Sequence, residues 1–220
     1  ANSSFDQASK NRLLGEAYFL RAFNYFNLVK VFGLVPIQKE MVKSISQTSP
    51  NMAKSLDVLY DFIIADLVEA EKLLEIGQKV GRADKVAAQA LLAKVYLTIA
   101  SSKESGVDKY VNMTADVTKS YENAALYSHK VLYDQSNYAF DNSLQHIYNI
   151  DAPNGPEHIF IMSGDRTGLN EGNYSKIGMM FHPWVDGVPY YIKNPDNTLT
   201  YTTNGWEVFM TTTPFYNSFS

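Results

Sequence analysis

Residues 15–37 read GEAYFLRAFNYFNLVKVFGLVPI, and Tyr18, Phe19, Phe23, Tyr25, Phe26 and Phe32 all fall inside them. The spacing of these rings decides what the segment is. Phe19, Ala22, Phe23, Phe26 and Val29 recur at intervals of three and four residues, and Leu13, Ala17 and Leu20 form a second row with the same period, which is the period of a helix. The polar strip is narrow, because Leu20 and Phe23 intrude into the arc shared by Glu16, Asn27 and Lys30. The helix is therefore expected to have neighbours on more than one side. Phe32-Gly33 followed by Pro36 supplies its stop: glycine suits the left-handed residue that ends a helix, and proline cannot extend one.

The pattern repeats downstream. Ser55 is placed to cap a helix reaching about Ile76, with Asp57 in its first turn and Leu59, Phe62, Ile63, Leu67, Ala70, Leu73 and Leu74 on its apolar face. Ala83 to Ala100 reads as a third helix, in which Ala87, Ala88, Ala90 and Ala93 let a neighbour approach closely. Beyond the polar stretch 101–119, a fourth helix is expected over Tyr121 to Asp134, with Ala124, Ala125, Ser128, Val131 and Leu132 on one face. Two helical hairpins in tandem point to a helical-repeat scaffold. Past Tyr138 the texture changes to glycine and proline punctuation with short apolar runs, so residues 1–140 read as the helical scaffold and 141–220 as a loop-rich portion packed on it.

Bulk properties exclude several classes of function. The 220-residue chain carries 19 basic and 23 acidic residues, a formal net charge of −4, and no dense basic cluster of the kind that neutralises a nucleic-acid backbone. No continuous apolar run is long enough to form a membrane-spanning helix. The absence of cysteine removes disulfides, thiolate metal sites and thiol nucleophiles. His129, His146, His158 and His182 are scattered without metal-ligand spacing, and Gly164, Gly168 and Gly172 fit neither phosphate- nor dinucleotide-binding patterns. No cofactor, metal or catalytic residue is assigned. Asp165 with Glu171 is one of many acid pairs that a hydrolase could use, and no spacing singles it out. Glu69 and Glu71 are expected on a solvated surface, and Asp66 is expected to cap or pair within the scaffold.

Glu16 to Ala22, Tyr25 to Val29, Phe32-Gly33 and Val35-Pro36 together resemble the long first signature of the SusD/RagB-like proteins. The later segments Tyr60 to Leu67, Gly81-Arg82-Ala83, Ala90 to Leu97, Glu157 to Phe160 and Thr213-Pro214-Phe215 to Phe219 resemble family elements in the same order. The resemblance implies a mainly α fold of tetratricopeptide-like hairpins in a single SusD-like domain. It also implies glycan or oligosaccharide binding on a surface-exposed lipoprotein of the bacterial outer membrane, of the Bacteroidetes type, and delivery to a SusC-like TonB-dependent transporter. Members carry an acylated cysteine, residues ahead of the signature and a further C-terminal portion. The sequence is accordingly expected to be a piece of a longer protein whose lipid anchor lies outside it. On this resemblance the rings of 15–37 belong to the scaffold core.

A sugar offers apolar C–H faces and a rim of hydroxyls, so its site needs rings and short polar side chains. The loop-rich portion supplies Trp184, Tyr190, Tyr191, Tyr201 and Trp206 as rings. Asn173, Asp186, Asn194, Asp196 and Asn197 supply donors and acceptors. The alternative is a tetratricopeptide-like protein-interaction scaffold without a glycan site, in which those rings pack inward.

Overall fold

The computed structural model describes residues 5–47, 52–77, 81–135, 137–147, 155–161, 190–193 and 198–202. The chain divides into two compact units, Ala1–Ile161 and Met162–Ser220. The first is helical: α1 (Gln7–Phe32), α2 (Leu56–Leu73), α3 (Lys85–Glu104) and α4 (Val117–Tyr133), then a single turn, α5 (Leu144–Ile147). Short 3-10 turns lie at Ile45–Gln47 and Tyr110–Asn112.

Each long helix starts at an oxygen-bearing cap. Asp6, Ser55, Asp84 and Asp116 accept the backbone N–H of Ser9, Val58, Ala87 and Lys119 at 2.7, 3.3, 2.8 and 2.7 Å, satisfying donors that the helices leave unpaired. The Asp116 cap explains why α4 begins a turn before Tyr121. At the other end, α2 stops at Leu73 because Leu74 is extended, short of the expected Ile76. Gly33, at φ 71°, ends α1 and donates its N–H to the Val29 carbonyl, a left-handed position suited to glycine.

Successive helices pack in chain order, α1 on α2, α2 on α3 and α3 on α4, with a smaller α1–α3 contact. This is the mainly α, tetratricopeptide-like architecture that the hairpin pattern predicts. The core is built from Phe19, Ala22, Phe26 and Val29 of α1, Leu59, Tyr60, Ile63 and Leu67 of α2, and Ala88, Leu92 and Val95 of α3. Gly15 lets α1 approach the end of α2: a Cβ there would sit 2.8 Å from Leu74 Cγ and 3.1 Å from Leu73 Cβ. Phe160 returns to α1 and meets the rings of Phe19 and Phe23 edge-on at 4.9 and 5.8 Å.

Two expected faces are corrected. Leu13, Ala17 and Leu20 are exposed, because α2, α3 and Phe160 all approach α1 from the side of Phe19, Phe23 and Phe26. On α4 the inward positions are Ser120, Ala124, Tyr127 and Val131, while Ala125, Ser128 and Leu132 face out. Parallel stacking of Tyr127 on Tyr96 of α3, with centroids 5.9 Å apart and planes 9° from parallel, fixes that rotation.

In the second unit, β1 (Tyr190–Lys193) pairs antiparallel with β2 (Leu199–Thr202). Tyr190 opposes Thr202, Tyr191 opposes Tyr201, Ile192 opposes Thr200 and Lys193 opposes Leu199.

Candidate functional site

Of the residues expected to bind a ligand, Tyr190, Tyr191 and Tyr201 lie on the β1–β2 ribbon. Trp184, Trp206, Asn173, Asp186, Asn194, Asp196 and Asn197 lie outside the described residues. Directly opposed positions of an antiparallel pair share a face, and the faces alternate along each strand. The register therefore puts Tyr191, Tyr201, Lys193 and Leu199 on one face, and Tyr190, Ile192, Thr200 and Thr202 on the other.

Two concave surfaces are formed by described residues of the helical unit. One, of about 680 Å³, runs beside α2 and is lined by Ile37, Lys39, Asp61 and Phe62 among others. Its ring is already engaged. Tyr25 meets Phe62 edge-on at 5.1 Å, and the Arg21 guanidinium lies over Phe62 at 4.9 Å and over Tyr18 at 5.5 Å. Arg21 is fixed in turn by a bidentate bond to Asp66, Nε to Oδ2 and Nη2 to Oδ1, both 2.7 Å, and it donates from Nη1 to the Lys39 carbonyl at 3.1 Å. The bond to Asp66 raises the Arg21 pKa above its ordinary value. The rings of the opening segment thus clamp α1 to α2, and Asp66 pairs within the scaffold as its sequence position suggests.

The second concavity, about 380 Å³, is lined by Val131, Tyr133, Tyr138, Phe140, Pro156 and Ile159 among others. Tyr133 and Phe140 are 72% and 77% exposed. Tyr138 is anchored, its hydroxyl donating to Asp84 Oδ2 at 2.8 Å, and burial together with this bond pushes its pKa up. Asp84 is fully buried and also accepts from the Gly77 N–H at 3.0 Å. This junction escapes sequence reasoning, since Asp84 falls inside the run expected to be helical and Tyr138 lies 54 residues further along the chain.

A family model described as "Starch-binding associating with outer membrane" (SusD-like) matches residues 2–97. SusD-like protein P2 of Formosa agariphila is 38% identical over 95 residues, which is 42% of this chain and 19% of that protein. A laminarin binding SusD-like protein superimposes with a TM-score of 0.65 at 25% identity, over 83% of this chain and 39% of its own. The chain resembles the SusD-like family over residues 2–97. A crystal structure with xylogluco-oligosaccharide aligns with a TM-score of 0.64 at 25% identity, over 75% of this chain and 32% of that one. The chain thus spans under a fifth of the curated relative's length and 32–39% of these two solved structures.

Several acids and histidines of the described residues are engaged with nearby groups. Glu69 pairs with Lys72 on the surface at 2.6 Å. Glu71, expected to be solvated, is instead half-enclosed: its Oε1 accepts from Lys130 Nζ at 2.8 Å and from Gln89 Nε2 at 2.9 Å, tying α2 to α4 and α3. His146 Nδ1 lies 3.1 Å from Asp141 Oδ1, and His158 Nδ1 accepts the Gly155 N–H at 2.9 Å. No group of three potential metal ligands occurs among the described residues, and His182, Asp165 and Glu171 lie outside them.

Proposed function

We propose that the chain is part of a SusD-like protein that captures glycans at the outer-membrane surface without cleaving them and passes them to a SusC-like TonB-dependent transporter. The observation that carries this reading is the likeness to the laminarin binding SusD-like protein over 83% of the chain; the structure with xylogluco-oligosaccharide supports it. In this reading residues 1–140 form the scaffold and face the transporter, and 141–220 contribute the sugar site. Trp184, Tyr190, Tyr191, Tyr201 and Trp206 supply ring faces, and Asn173, Asp186 and Asn194 supply hydrogen bonds to sugar hydroxyls. No cofactor takes part, since binding moves no electrons and breaks no bond.

The test is a screen of the purified protein against plant, host and microbial polysaccharides, with reducing ends assayed in the same samples. Binding to one class without release of reducing ends supports the reading. Release of reducing ends would replace it with a hydrolase, and failure to bind any polysaccharide would leave the interaction scaffold. Co-purification with a SusC-like transporter tests delivery separately.

A further inference from the structure

Two histidines near the end of the helical unit make opposite demands on their protons. His158 Nδ1 accepts the Gly155 N–H at 2.9 Å, and a ring nitrogen accepts only through a lone pair, so the proton of the neutral ring sits on Nε2. His146 Nδ1 faces Asp141 Oδ1 at 3.1 Å, and an ionised carboxylate can only accept, so there Nδ1 carries the proton. Acid acts on the two in opposite directions. Protonation keeps the His146 contact and strengthens it by charge, whereas an imidazolium has no lone pair left, and His158 must release Gly155.

The bond that acid breaks helps to close the turn 155–158, which docks on the segment that follows α4. Ala139 donates its N–H to the Pro156 carbonyl at 3.1 Å, and Asp141 donates its N–H to Glu157 Oε1 at 2.7 Å. Just beyond the turn, Phe160 meets Phe19 and Phe23 of α1 edge-on. The turn keeps one bond that does not depend on protonation, from the His158 N–H to the Gly155 carbonyl at 3.1 Å, so acid loosens it without removing it. A new partner for the cation is close by. A Cβ built on Gly155 would stand 3.3 Å from His158 Nδ1 and 3.9 Å from Asp141 Oδ2, so the imidazole and a carboxylate flank the same point, and the carboxylate favours the charged ring.

The other groups around the turn do not share this behaviour. Of the described residues 137–147 and 155–161, the remaining titratable side chains are Tyr138, Asp141, His146 and Glu157, and the Tyr138 hydroxyl is held by Asp84. On the neighbouring helices Glu16 pairs with Arg82, Arg21 with Asp66 and Lys130 with Glu71, and His129 Nδ1 lies 3.6 Å from Asp134 Oδ1. His129 and His146 thus face carboxylates and gain by protonation, and His158 is the described histidine that gives up a bond.

We propose that His158 is a pH-sensitive latch: neutral, it fastens the turn 155–158 against the segment 138–141, and protonated, it turns from Gly155 toward Asp141 and loosens residues 155–161. The bond is present above the range in which histidines take up a proton, about pH 5 to 8, and is lost as pH falls through it. The helical unit ends at Ile161, so the latch sets how firmly the last stretch of that unit is held. It does not depend on the glycan-binding reading.

The experiment is a nuclear magnetic resonance titration of the full 220-residue chain from about pH 8 to about pH 5. It follows the ring nitrogens of His146 and His158, the Phe160 ring signals, and exchange of the Gly155 amide corrected for the intrinsic effect of pH. At the alkaline end His158 is expected as the Nε2–H tautomer and His146 as the Nδ1–H tautomer. As His158 takes up its proton, Gly155 exchange should rise about three- to tenfold, the loss of one neutral hydrogen bond, and the Phe160 signals should move with it. His158→Asn puts an uncharged acceptor in the place of Nδ1 and should keep Gly155 protected throughout, while His146→Ala should leave the response in place. An Nδ1–H tautomer at His158, a Gly155 amide indifferent to its protonation, or a response that persists in His158→Asn would each overturn the latch. So would a response abolished by His146→Ala, which would assign the switch to the pair with Asp141. If His158→Asn lacks the helical circular dichroism of the parent, tautomer and exchange in the unsubstituted chain decide alone.

Discussion

The two helical hairpins are held together by different chemistry. Between α1 and α2 the contact is bulky and particular: Phe19 and Phe26 are buried, and Arg21 is sandwiched by two rings and locked bidentately on Asp66. Between α3 and α4 the contact is extensive but made by smaller, generic residues, with Ser120 and Ala124 buried on α4 and a stacked tyrosine pair beside them. Both solutions pack two helices, but only the first needs a sequence that few other helices would carry. A large ring or a buried ion pair can be satisfied in few ways, whereas alanine fits almost any close contact.

The difference can be broken most sharply at Asp66. Asp66→Ala leaves the Arg21 guanidinium, 31% exposed, without its counter-charge, and the loss of such charge-assisted hydrogen bonds costs about 1.5–3 kcal/mol; urea unfolding followed by circular dichroism should show the midpoint fall by that equivalent. A buried pair exchanged for well-packed apolar residues is often neutral, so Arg21→Met with Asp66→Leu should recover much of the loss. Gly15→Ala places a methyl against Leu74 and should cost about 1–3 kcal/mol, read in the same assay. In the second hairpin, Tyr127→Leu keeps apolar volume but removes the ring stack, and should cost about 0.5–1.5 kcal/mol, visible as a smaller drop in melting temperature. Lys72→Ala, which removes a surface pair with Glu69, should change stability by under about 0.5 kcal/mol and sets the baseline for the others.

The same contrast explains what was legible beforehand. The helix stop at Gly33, the Ser55 cap and the pairing of Asp66 within the scaffold were readable because each rests on a local rule or on a dense motif. The family match likewise covers residues 2–97, which takes in α1 and α2 and stops inside α3. The inward face of α4 was only partly readable. The expected row includes Ala124 and Val131, which do turn inward, but also Ala125, Ser128 and Leu132, which face out, and the rotation is fixed by the stack of Tyr127 on Tyr96 of another helix. The Asp84 junction, where one carboxylate gathers Gly77, Ala87 and Tyr138, was not readable. As for the candidate site, the tyrosines at 190, 191 and 201 were visible as rings near turn residues, but their division between two faces depends on a register set by both strands at once.

Packing in chain order also shapes how the helical unit comes apart. Because α4 lies at the end of the row and its helix-scale contact is with α3, its loss removes that interface and the Lys130–Glu71 pair to α2 and leaves the α1–α2 and α2–α3 packing standing. A linear array of this kind behaves as a chain of nearest-neighbour couplings, in which a terminal element can fray while interior elements wait for the whole array to open. Backbone amides of α4 should therefore exchange with deuterium well before those of α2. The protein would then possess a partly open state, accessible from the native one, in which the first hairpin is still formed.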